Sequence, residues 1–133
     1  MTTQPAQELP EEVVTHARMR TVDLPGNVGI FALITLDNDR DHTRPSTFGP
    51  AGLASLDAAI DAAIEVPGLV GVGVTGKPFV FAVGADLSAV GTVTDRSQIL
   101  QVAELGHNVF RRLGELDVPS FAFVNGAAMG GGL

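Results

Sequence analysis

Two stretches of the chain combine the residue types that can hold a developing negative charge without a side chain. In each, an apolar run of strand length ends in glycine. Phe79-Val80-Phe81-Ala82-Val83 runs into Gly84-Ala85-Asp86, and Phe121-Ala122-Phe123-Val124 runs into Asn125-Gly126-Ala127-Ala128-Met129-Gly130-Gly131-Gly132. Glycine has no Cβ, so main-chain N–H groups can come close to a ligand. A helix that starts at such a turn leaves its first N–H groups unpaired and aimed outward. If the two apolar strands lie in one parallel sheet, both turns emerge at the same edge, where α/β proteins bind ligands. One N–H from each turn could then meet on a single carbonyl oxygen, forming an oxyanion hole. The residues alone leave a second reading open, in which both are tight strand-to-helix connections without chemistry.

Side-chain chemistry finds little support. The chain has no cysteine, which removes disulfides, thiolate nucleophiles and zinc–thiolate sites together. His16, His42 and His107 fall in the leader, a loop and a helix, with no metal-ligand spacing between them. No G-x-S-x-G nucleophile elbow and no Gly-Lys-Ser or Gly-Lys-Thr phosphate loop is present. Gly71-Val72-Gly73-Val74-Thr75-Gly76 spells the dinucleotide pattern. Those glycines lie within a strand, however, and Lys77-Pro78-Phe79 follows where a helix would have to hold the pyrophosphate.

Composition narrows the class further. The 133 residues suffice for one domain with a core, and 45% hydrophobic against 17% charged residues is a globular balance. A net charge of -7 with eight scattered Lys and Arg residues argues against nucleic acid, whose phosphates require clustered cations. The apolar runs are too short to span a bilayer and the first residues lack a signal-peptide pattern, so the expectation is a soluble cytoplasmic protein that avoids membranes.

The elements that must position the two turns follow from periodicity. Residues 1–17, with Pro5, Pro10 and three glutamates, read as a mobile leader, and 18–133 as one domain. Met19 to Leu24 and Gly29 to Leu36 read as a hairpin around Pro25-Gly26-Asn27, with the second strand covered on both faces. Gly49-Pro50 opens a helix with Leu53, Leu56, Ile60, Ala63 and Ile64 on one face, and Asp57, Asp61 and Glu65 form a like-charged, solvated row. In the strand from Leu69 to Val74, Gly71 and Gly73 leave one side bare for another backbone. Asp86 to Gly91 reads as a short helical turn. A long helix begins at Thr94 or Asp95 and runs to about Leu116, ahead of Val118-Pro119. Strand, helix and glycine turn in alternation give an α/β fold.

With these elements in place, the paired motifs resemble the enoyl-CoA hydratase/isomerase family, the crotonase superfamily. The likeness rests on Gly84-Ala85-Asp86 after its apolar run, on Val118-Pro119 through Asn125-Gly126-Ala127-Ala128-Met129-Gly130-Gly131-Gly132, and on the helix entered through Arg44-Pro45 and Phe48-Gly49-Pro50. It covers about Arg18 to Leu133. The segment Thr43 to Pro50 is similar to the hydratase portion of fatty-acid oxidation proteins fused to a 3-hydroxyacyl-CoA dehydrogenase. The resemblance implies the N-terminal half of a crotonase-like spiral of ββα repeats, incomplete here, in a parent that assembles on trimers.

It also implies reversible hydration of a 2-enoyl-CoA, with the backbone N–H groups of Ala85 and Gly131 holding the thioester oxygen. Ala85, Asp86, Leu87 and Ser88 would lie along the CoA chain, and Arg44 would partner a CoA phosphate. The chain departs from the family at Ser88, where many relatives have lysine. Coenzyme A arrives as part of the substrate, so no separate cofactor is implied. In hydratases of this family one glutamate stands two residues after the glycine triplet and another lies further on, and together they move protons. Leu133 occupies the preceding position, so both carboxylates are expected beyond it and the 133 residues alone are expected to be inactive. The scaffold also suits an isomerase or a thioester hydrolase, or a non-catalytic acyl-CoA-binding module.

Overall fold

The computed structural model describes residues 12–86 and 96–133. The hairpin forms as the sequence predicts: β1 (His16–Asp23) and β2 (Ile30–Asp37) pair antiparallel, His16 opposite Asp37 and Asp23 opposite Ile30. Gly26 turns the chain at φ 77, a left-handed conformation that glycine adopts without strain. β2 buries one face only, through Ala32, Ile34 and Leu36, and its other face is half-buried rather than covered.

Helix α1 (Pro50–Ile64) starts at the predicted proline. Gly49 offers no capping side chain. The helix takes a cap from far away in sequence, as the Glu12 carboxylate accepts the N–H groups of Ala51 at 2.9 Å and Gly52 at 3.0 Å. A carboxylate at a helix N-terminus contributes about 0.3–1 kcal/mol through the helix dipole. Thr15 Oγ1 donates to the Thr47 carbonyl at 2.6 Å, and Ala17 N–H donates to Ser55 Oγ at 2.9 Å. Residues 12–17, grouped with the leader on composition, are thus held to α1 and its approach, and β1 begins before Arg18.

Strand β3 (Leu69–Gly76) runs parallel to β2. Next come β4 (Phe79–Ala82), α2 (Arg96–Gly114), β5 (Ser120–Phe123) and β6 (Gly126–Ala128). The long helix ends near the predicted place, where Glu115 N–H turns back to the Arg111 and Arg112 carbonyls. Its expected cap at residue 94 or 95, and most of the helical turn expected over 86–91, lie outside the described residues. One sheet has the order β1-β2-β3-β5, antiparallel at β1-β2 and parallel at β2-β3 and β3-β5, and a second pairs β4 with β6 in parallel. The architecture is α/β, with α1 packed on one face of the larger sheet and α2 packed against α1.

Ile34, Ile60 and Val72 at 0% exposure and Leu56 at 1% form the centre of the core, each contributing about 1.5–3 kcal/mol of burial. The opposite face carries Phe31, Phe121 and Phe123, with ring centroids 6.1 Å apart between Phe31 and each of the others. These rings lie on Gly71 and Gly73, where an added Cβ would fall 3.0 Å from Phe31 and 2.6 Å from Phe123. The bare side of β3 therefore admits aromatic rings rather than a backbone. β5 remains exposed along its length, Phe121 and Phe123 to about half.

The acidic row on α1 is not simply solvated. Arg112 of α2 reaches across it, donating to Asp57 through Nη1 and to Asp61 through Nη2 at 2.6 Å. The two aspartates raise the Arg112 pKa, chiefly through the hydrogen bond that the guanidinium donates to Asp57. Arg112→Ala is expected to lower stability by about 0.5–1 kcal/mol, as for a partly exposed ion-pair network. Urea titration measures this, and an unchanged midpoint would contradict it. Among the described residues, no helix is long and apolar enough to cross a membrane.

Candidate active site

The two glycine turns come together, but not by the route the sequence suggests. The first apolar run, β4, does not join the sheet containing β5. It pairs with β6, inside the stretch read from sequence as one glycine turn. Asn125 makes the switch between sheets. Its Oδ1 accepts the Gly76 N–H at 3.1 Å, and its Nδ2 donates to the carbonyls of Gly76 at 3.0 Å and Lys77 at 2.8 Å. A side-chain amide thus completes the β3 edge where β5 leaves it, and the chain is free to bend toward β4. At Gly126 an added Cβ would lie 2.1 Å from the Phe79 carbonyl carbon, so only glycine allows the two backbones this close.

Past the strand ends, Met129 N–H donates to the Ala82 carbonyl at 3.1 Å, and Gly130–Gly132 form a 3-10 turn. Gly84, at φ 73, sits against that turn, and a Cβ placed on it would be 3.2 Å from Met129 O and 3.3 Å from Gly131 N. The residue before Ala85 is therefore in contact with Gly131.

On its other side the first turn is fixed by the segment entering α1. Val83 N–H donates to the Ser46 carbonyl at 2.9 Å, Phe48 N–H to the Gly84 carbonyl at 2.8 Å, and Asp86 N–H to the Phe48 carbonyl at 2.9 Å. Ala85 and Phe48 form a parallel bridge. A trans peptide points its C=O and N–H in opposite directions. Because the Gly84 carbonyl faces Phe48, the Ala85 N–H points away from Phe48, and it meets no backbone acceptor among the described residues. Among the described residues the Gly131 N–H likewise meets no backbone acceptor; within the turn Gly132 N–H bonds to Met129 O and Leu133 N–H to Gly130 O. Early N–H groups of a helical turn lack internal partners. Both Ala85 and Gly131 are exposed. An open apolar cleft of about 410 Å³ borders Gly131, with Phe48, Phe81, Phe110 and Leu113 in its walls.

Of the other residues singled out by sequence, Asp86 is half-buried and tied to Phe48 through its main chain, while Leu87 and Ser88 lie outside the described residues. Arg44 is exposed, two residues before Ser46, in a loop closed by local bonds. Its N–H donates to the Asp41 carbonyl at 3.1 Å, and Asn38 Nδ2 donates to its carbonyl at 3.1 Å. The Asp41 carboxyl is held below its usual range by hydrogen bonds from the Thr43 hydroxyl and N–H.

One residue escaped the sequence reading. Lys77 is 3% exposed, and its Nζ donates to Asn38 Oδ1 at 2.5 Å and to the carbonyls of Arg40 at 2.9 Å, Asp41 at 2.9 Å and Arg44 at 2.6 Å. The only signal was a lysine between glycine and proline at a strand end, a place that usually exposes it.

No family model matches the chain. Over 104 residues it is 36% identical to the fatty acid oxidation complex subunit alpha of Shewanella halifaxensis, a match covering 77% of this chain and 14% of that protein. Among solved structures, DspI of Pseudomonas aeruginosa superposes with a TM-score of 0.68 at 27% identity, covering 92% of this chain and 47% of the other. An enoyl-CoA hydratase from Polaromonas superposes with a TM-score of 0.70 at 25% identity, covering 86% and 42%. The chain spans 14% of the length of that curated relative and less than half of these solved neighbours. With the crotonase fold present in part and the match to the fatty acid oxidation subunit covering 77% of this chain, the chain belongs to the enoyl-CoA hydratase/isomerase, or crotonase, superfamily.

Proposed function

We propose that the chain carries the carbonyl-polarising part of an enoyl-CoA hydratase site. In this reading the N–H groups of Ala85 and Gly131 donate together to the thioester oxygen of a 2-enoyl-CoA. Negative charge grows on that oxygen as water adds to the conjugated double bond, and donors fixed in advance stabilise it without reorganising. The observation that carries the reading is the contact between Gly84 and Gly131, which sets two unused N–H groups in adjacent turns. The apolar cleft beside Gly131 lowers the local dielectric and strengthens such hydrogen bonds.

Coenzyme A enters as part of the substrate, and no separate cofactor is needed for polarisation. In this reading Arg44, exposed on the neighbouring loop, would partner a CoA phosphate, and Ala85 and Asp86 would lie along the acyl-CoA chain. Polarisation alone does not hydrate. The reaction also needs groups that deliver water and move the α-proton, and no glutamate follows the glycine triplet within these 133 residues.

The 133-residue chain is therefore expected to bind crotonyl-CoA, seen as heat in titration calorimetry, while leaving the enoyl absorbance unchanged. Hydration at a rate proportional to chain concentration would contradict the division of labour, and absence of binding would contradict the site.

A further inference from the structure

We propose that Lys77 is a positioning residue for this site, its buried ammonium setting the geometry of both donor turns; the inference rests on the oxyanion reading above. An ammonium has three N–H donors, and four oxygens surround this one, so its hydrogen-bonding capacity is saturated. All four are carbonyl oxygens, one from the Asn38 amide and three from the main chain. A main-chain carbonyl can turn only if its peptide plane turns, so the cage fixes backbone orientation at Arg40, Asp41 and Arg44. Asn38 Nδ2 adds to this by donating to the carbonyls of Arg44 and Pro45, at 3.1 Å and 3.3 Å.

From that cage two short paths lead to the two donors. Two residues past Arg44, the Ser46 carbonyl receives Val83 N–H, and Phe48 then pairs with Gly84 and Asp86, which fixes the peptide carrying the Ala85 N–H. In the other direction, the Lys77 carbonyl accepts Asn125 Nδ2, and Asn125 leads directly into β6 and the turn bearing Gly131. Lys77 also anchors itself to β2, its N–H donating to the Leu36 carbonyl at 3.1 Å. One residue thus joins the loop supporting the first turn to the amide supporting the second.

Stability alone does not explain a charge there. Burying an ion is costly, and well-packed apolar replacements of buried charges are often neutral or stabilising. What the ammonium adds is direction: it gathers carbonyls from three residues of one loop at one point.

The test compares the unsubstituted chain with Lys77→Met, which keeps an unbranched side chain one atom shorter and removes its donors. Each is titrated with crotonyl-CoA carrying ¹³C at the thioester carbon, and the carbonyl stretch of the bound thioester is read by infrared spectroscopy. In the unsubstituted chain the stretch should fall on binding. In Lys77→Met that fall should be lost while Kd changes by less than about tenfold, because the CoA contacts remain but the donors no longer align. An equal fall in both proteins overturns the inference and leaves the oxyanion reading standing. An unshifted carbonyl in the unsubstituted chain overturns the oxyanion reading and the inference with it. If Lys77→Met does not fold, Asn38→Ala decides in the same way, since it removes one wall of the cage and leaves Lys77 three carbonyls. A reduced fall supports the inference and an unchanged one overturns it.

Discussion

Gly132→Ala is expected to lower the melting temperature by roughly 10 °C, equivalent to about 3 kcal/mol of overpacking, and to abolish thioester polarisation. Gly132 is buried, and a Cβ added there would stand 2.1 Å from the Ala82 carbonyl oxygen and 2.5 Å from its carbon. Neither atom can step aside cheaply. The Ala82 oxygen already accepts Met129 N–H, the bond that closes the second turn onto the end of β4. Relief of the clash must separate the turn from β4, and with it Gly131 from Gly84. Gly114→Ala is the control, because an added Cβ there meets nothing within 4 Å. An unchanged melting temperature in Gly132→Ala would show that the turn does not press on β4 as described.

Gly131→Pro tests the donor itself. Proline removes one N–H, and its fixed φ is compatible with the start of a helical turn. Gly131 is not among the glycines with positive φ, a conformation that would exclude the ring. In a hydratase that contains this segment together with its acid–base groups, the substitution should lower turnover by about 10² to 10³, the scale for losing one oxyanion donor. Circular dichroism must show the fold retained, and undiminished turnover in a folded Gly131→Pro protein would remove Gly131 from the site. Ala85→Ser should do far less, because the donor at that position is main chain.

The hairpin and α1 were legible because their signals are local. Pro25-Gly26-Asn27 turns the chain, and Pro50 followed by apolar residues at helical spacing defines a helix whose start agrees with the structure. Its expected face is buried at Leu53, Leu56, Ile60 and Ala63, whereas Ile64, at the last turn, is 50% exposed. The two glycine turns were legible for a related reason: an apolar run ending in glycine records a backbone that something approaches closely. Their relative placement was not. β6 is three residues, Gly126–Ala128, with no β-branched or aromatic side chain, so nothing in its composition announces a strand. The second sheet exists through the close approach of Gly126 to Phe79 and the Asn125 amide at Gly76, both of which are long-range contacts.

The same limit hid two ionic arrangements. The row Asp57, Asp61 and Glu65 looks repulsive along α1, and only the packing of α2 brings Arg112 across it. Lys77 looks like a solvated loop residue until β2, the 38–44 loop and Asn125 are folded around it. Among the residues expected to touch substrate, Ala85 and Gly131 were named through the family resemblance of their motifs. It could not show that the peptide before Ala85 turns its carbonyl to Phe48 and its N–H away.

The central claim is that the N–H groups of Ala85 and Gly131 act together on one carbonyl oxygen. It is tested most directly by the infrared carbonyl stretch of ¹³C-labelled crotonyl-CoA bound to the unsubstituted chain at saturation. Two hydrogen bonds to the oxygen weaken the C=O bond, so the stretch is predicted to fall below that of the free thioester and to return toward it in Gly131→Pro. A bound thioester whose stretch equals that of the free molecule would contradict the account.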